Sequence, residues 1–139
     1  MPTVTEMATQ QGSGTGPTAS RQPVQSAAPG AQQTSPYRVL EAARESYWLR
    51  DYATAEKQYN DLINMQPDNP DWYGELGNMY FSEGEWDKAS SAYYEAGVRL
   101  LKQGMISETK QLVEVIRGLK GSQAADLEQK IKEASASAP

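Results

Sequence analysis

From residue 36 onward, small, apolar and aromatic residues recur at helical spacing, and the pattern repeats once. Setting Pro36 to Asn69 against Pro70 to Gln103 aligns the two opening prolines at an offset of 34 residues. Ala43 then falls on Gly77, Tyr52 on Trp86, Ala55 on Ala89, Tyr59 on Tyr93 and Leu62 on Ala96. A small residue late in one helix and another early in the next let two antiparallel helices approach closely, with aromatics filling the space on either side. Each unit therefore predicts a helical hairpin.

The turns support that reading. In "SEGEWDKA" Gly84 can take positive φ at a helix end and Asp87 sits near the next helix start, while "LRDYATA" offers Asp51 with Arg50 in the glycine place. Between the hairpins, "MQPDNPDW" stops one helix before Pro67 and starts another near Pro70, where a first-turn proline is tolerated. Beyond Gly97 the strict register lapses. The helix from Asp87 to Gln103 is expected to serve two hairpins, with Gly104 as the next turn and Leu112, Val113 and Ile116 on the core face of the helix that follows. A last helix, from about Ser122 to Glu133, sets Ala124, Leu127 and Ile131 on one side and Lys or Glu on the other, the form of a solvating cap. The expectation is an all-α domain of about six helices over 36–134.

These residues resemble the tetratricopeptide repeat family, whose pattern runs W-x2-L-G-x2-Y, a glycine turn, A-x3-F/Y-x2-A and a closing proline. The second unit carries Tyr73, Leu76, Gly77, Tyr80, Gly84, Trp86, Ala89, Tyr93 and Ala96, with Leu101 in place of the proline. The first keeps Tyr52, Ala55, Tyr59, Leu62 and Pro67 but has Val39, Ala42, Ala43 and Ser46 in its first helix. The resemblance implies about two repeats plus capping helices, a non-catalytic role, and a concave surface lined by the first helix of each hairpin. The groove residues it implies are Tyr37, Glu41, Arg44, Tyr47, Trp48, Glu75, Asn78, Phe81 and Ser82, with Leu40 and Asp71 beside them. Aromatic anchors with a few polar neighbours suit a peptide, a disordered segment or a partner helix. Packing inside the stack is the competing role for Tyr47, Trp48 and Phe81, and the expected role for Tyr52, Tyr59, Tyr80, Trp86 and Tyr93. Some family members clamp a chaperone's C-terminal carboxylate with lysines, arginine and asparagines. Here only Asn78 falls on such a position and the lysines are missing, so that specialisation is not expected.

Composition narrows the choice of chemistry. The chain has no histidine and no cysteine, which removes the commonest general base, thiolate nucleophiles, disulfides and Cys-based zinc sites. A carboxylate pair such as Glu83 and Glu85 sits at an exposed turn. "DNPDWYGE" puts glycine at the seventh place of a calcium loop, where the sixth is needed, and Pro70 at the third ligand position. The chain is accordingly read as no enzyme, with no metal and no cofactor. A net charge of −5, without a Lys/Arg run, argues against nucleic acid as partner. No apolar run is long enough to span a membrane, so the chain as given is expected not to insert into one.

Residues 1–36 carry only Glu6 and Arg21 as charges amid Thr, Ser, Gln, Gly, Pro and Ala. Such a segment buries too little apolar surface to offset its ordering entropy, so 1–35 is expected to be a disordered tether and 135–139 a disordered tail. With the resemblance, the tether suggests a complex at the cell envelope; cytoplasmic and periplasmic settings both fit, as does a soluble piece of a membrane-anchored protein. Charge is also segregated: from Asp68 to Glu95 there are seven acids and one base, from Arg99 to Lys132 seven bases and four acids. Such lobes make self-association into homo-oligomers the alternative function.

Overall fold

The computed structural model describes residues 35–137. The expected tether lies outside them save for Ser35. By compactness the chain divides into Met1–Arg38, of which only the last four positions are described, and Val39–Pro139.

The described residues form six helices: α1 Pro36–Trp48, α2 Tyr52–Met65, α3 Pro70–Glu83, α4 Trp86–Lys102, α5 Ile106–Gly118 and α6 Gln123–Ser137. The helix starts follow side-chain chemistry. The Asp51 carboxylate accepts from the Thr54 N–H at 3.3 Å, capping α2. The Asn69 side chain accepts from the Asp71 N–H at 2.9 Å, with Pro70 in the first turn of α3. α6 continues to Ser137, into the 135–139 stretch expected as a tail.

Four of the five connections end their helix in the same way, with one residue at positive φ: Arg50 (64°), Gly84 (78°), Gly104 (80°) and Lys120 (62°). After α3, the Gly84 N–H reaches the Phe81 carbonyl at 3.0 Å and the Glu85 N–H reaches Tyr80 at 2.9 Å. After α1, the Arg50 N–H reaches Tyr47 at 2.9 Å and the Asp51 N–H reaches Ser46 at 2.8 Å. These bonds satisfy carbonyls that the helix ends would otherwise leave unpaired.

The small residues that define the repeat are buried: Ala43, Ala55 and Ala89 have no exposure and Ala96 has 2%. At Gly77 the approach is closest, because a Cβ there would lie 2.6 Å from the Tyr93 ring. Tyr59, Leu62, Met79, Ile116 and Leu127 are the largest fully buried apolar side chains. α4 packs against α3, α5 and α6. It is therefore shared between hairpins, as its small-residue stripe implies: Gly97 faces Leu127 of α6 so tightly that a Cβ would come within 2.6 Å of that side chain. Arg99 of α4 donates to the Pro67 carbonyl at 2.8 Å and lies 4.2 Å from the Tyr73 ring centroid, fastening α4 to the α2–α3 loop.

Candidate protein-binding groove

Polar bonds link α1, α2 and α3. The Arg44 guanidinium forks onto the Glu75 carboxylate, Nε donating to Oε1 at 3.0 Å, and the Tyr59 hydroxyl donates to the same oxygen at 3.0 Å. The carboxylate raises the Arg44 pKa through that bond and its charge. Burial first, and then the Glu75 charge, push the Tyr59 phenol above its ordinary value. One turn further on, the Tyr47 and Ser82 hydroxyls meet at 2.6 Å, and the Tyr93 hydroxyl donates to the Asn78 carboxamide oxygen at 2.6 Å.

Two open depressions flank this lattice. The first, of about 560 Å³, crosses from α1 to α5: Arg44, Pro70, Asp71, Gly74, Glu75 and Asn78 form one wall, Glu108, Gln111, Leu112 and Val115 the other, and Ala96 and Leu100 the floor. The second, of about 780 Å³, is lined by Tyr47, Trp48, Arg50, Tyr52, Phe81 and Ser82. Asn78 borders one and Phe81 the other, a single helical turn apart on α3, so the two adjoin along that helix.

Of the residues expected to line a groove, the structure places Arg44, Glu75 and Asn78, with Asp71, in the first depression and Tyr47, Trp48, Phe81 and Ser82 in the second. Glu41 is exposed and lines neither. Tyr37 is 78% exposed and belongs to the Met1–Arg38 unit. Leu40 is a core residue, 8% exposed, because its side of α1 faces the core that buries Ala43. Trp86, expected inside, is 49% exposed: as the first residue of α4 it stands at the rim, where its ring meets Phe81 edge-on at 5.2 Å. Its repeat partner Tyr52 is half-buried, 6.1 Å from the Tyr47 ring. Trp48 is 84% exposed and Phe81 48%, so neither packs inside the stack.

The α5 wall was missed from sequence. Val113 and Ile116 are buried as expected; Leu112, also expected on the core face, packs half-buried against the core and lines the groove as well, beside Val115, which is 40% exposed. The signal was available in the i, i+3, i+7 spacing of Glu108, Gln111 and Val115, a stripe distinct from the one holding Thr109, Val113 and Ile116.

Glu83 and Glu85 are exposed. Desolvation first, and then the charges of Glu85 and Glu56, raise the Glu83 pKa.

Buried small residues at the helix crossings, repeated at 34 residues with like turns at Arg50 and Gly84, decide the architecture. The fold is an all-α stack of tetratricopeptide-like hairpins. No protein-family model and no curated protein matches the chain. Among solved structures the chain is similar to the first tetratricopeptide domain of Spaghetti (RPAP3) bound to the HSP90 peptide SRMEEVD, at 20% identity and a TM-score of 0.40, covering 73% of this chain and 94% of that one. It is also similar to the N-terminal domain of stress-induced protein-1 (STI-1) from C. elegans, at 20% identity and a TM-score of 0.39, covering 72% and 94%.

Proposed function

We propose that this domain is a non-catalytic protein-interaction module that holds a peptide, a disordered segment or a helix of another protein in the groove across α1, α3 and α5. It serves as an adaptor or scaffold in a larger complex; the composition of the opening segment favours an envelope-associated one. The observation that carries the reading is Gly74. A glycine inside a helix costs about 0.5–1 kcal/mol relative to alanine. A Cβ at this position would nevertheless meet nothing within 4 Å, so no packing requirement calls for glycine. Its place in the groove wall supplies a reason: a bare backbone there leaves room for a bound chain.

The test is selection from an unbiased displayed-peptide library on the full chain, repeated with Gly74→Leu. A Cβ there meets nothing within 4 Å and the groove is open above it, so helicity should be unchanged while the selected peptides lose binding. Trp48→Ala with Phe81→Ala should also abolish binding with helicity intact. Peptides held equally well by Gly74→Leu would place the site elsewhere.

The exposed cluster of Trp48, Leu49, Phe81 and Trp86 favours self-association as the second reading. Light scattering over a concentration series separates the two. A monomer throughout leaves the groove to another protein; a stable dimer that Trp48→Ala dissolves makes assembly the function.

A further inference from the structure

The two adjoining depressions differ in charge, and that difference specifies an occupant. Around the α3–α5 groove stand three carboxylates, Asp71, Glu75 and Glu108, and one guanidinium, Arg44. Arg44 is spent on Glu75. Asp71 and Glu108 make no side-chain ion pair among the described residues, and they flank an apolar floor. Among the described residues that line the aromatic depression, the only charged one is the cation Arg50. One end therefore attracts a cation and the other accepts an apolar side chain while repelling a cation. From Asp71 to Phe81 the α3 axis rises ten residues, about 15 Å at 1.5 Å each. An extended peptide covers that span in about four to five residues at roughly 3.3 Å each.

We infer that the groove takes a segment of a partner protein that carries an apolar anchor and, four to five residues away, a lysine or arginine. The anchor seats between Trp48 and Phe81, and the cation lies between Asp71 and Glu108. This deepens the peptide-binding reading and rests on it. Because both acids are exposed, the contact is screened by salt beyond roughly 10 Å at 0.1 M and acts mainly on selectivity.

The experiment titrates the full chain with end-blocked synthetic peptides, each holding one leucine and one arginine separated by about one to eight Gly/Ser residues, a range of roughly 5–30 Å when extended. Affinity should peak at the four-to-five-residue spacing. It should fall about threefold to tenfold when glutamate replaces the arginine, the size expected for two exposed charge contacts. The exposed double variant Asp71→Asn, Glu108→Gln should remove the arginine preference, so that the arginine peptide and a leucine–glutamine control bind the variant equally. A flat dependence on spacing, or equal affinity for arginine and glutamate peptides, overturns the inference. If library-selected peptides are still lost with Gly74→Leu in that case, the peptide-binding reading survives without it. If neither the series nor the library yields a peptide that binds, both fall.

Discussion

Gly74 and Gly77 lie one turn apart on α3 and serve opposite ends. Gly77 is where α4 comes nearest, with the Tyr93 ring occupying the space of a side chain, whereas Gly74 faces the open groove. The same substitution should therefore have opposite signs. Gly74→Ala is expected to stabilise by about 0.5–1 kcal/mol through helix propensity alone. Gly77→Ala gains that term too, but a rigid ring at 2.6 Å must move, and overpacking of this kind costs about 1–3 kcal/mol. Urea unfolding of the two variants side by side gives the comparison, and a Gly77→Ala protein as stable as Gly74→Ala would mean the α3–α4 crossing is looser than described.

Each helix end is a small device that the sequence spells with different letters. Gly84 and Gly104 occupy positive φ without steric cost, while Arg50 and Lys120 adopt it with a Cβ in place. A non-glycine residue there bears about 1–2 kcal/mol of strain, part of which glycine returns as extra freedom of the unfolded chain. Arg50→Gly and Lys120→Gly are each expected to gain up to about 1 kcal/mol, a rise of a few degrees in melting temperature for a domain of this size. Gly84→Ala should lose about the same. Calorimetry on the three variants tests this, and no change in all three would show that the turns relax around any residue.

At the scale of the molecule, tyrosine hydroxyls link the helices through carboxylates. Tyr59 reaches Glu75 from α2 to α3, Tyr80 reaches Glu56 from α3 to α2, and Tyr94 reaches Asp126 from α4 to α6. Burial foremost raises the phenol pKa of Tyr59, Tyr80 and Tyr93; the bond to Asp126 foremost pushes Tyr94 up to about 12. A group whose folded-state pKa is raised contributes stability that is complete below its unfolded value, here near pH 10. As pH rises further, the unfolded chain loses its phenolic protons first. The contribution of these tyrosines should thus be level up to about pH 10 and fall steeply toward pH 12. Tyr80→Phe and Tyr94→Phe should each make that decline shallower, whatever they do to stability at neutral pH. Melting temperature against pH reads the slope, and an unchanged slope in both would remove these hydroxyls as its cause.

What the sequence determined by itself was the hairpin register. Ala43, Ala55, Gly77, Ala89 and Tyr93 are recognisable because close helix crossing demands small residues beside large ones at fixed spacing, and that demand is local and repeated. The turn at Arg50 was legible for the same reason, by alignment with Gly84. The outward turn of Trp86, the burial of Leu40 and the second wall of the groove were not. Each depends on which neighbour covers a given face: Trp86 stands at the stack's rim against Phe81 with half its surface open, Leu40 faces the shared core, and Leu112 and Val115 reach the groove because α5 packs on α4, as α3 does. Local periodicity specifies that a helix has an apolar side; only the assembled stack decides which part of that side is covered and which is left open.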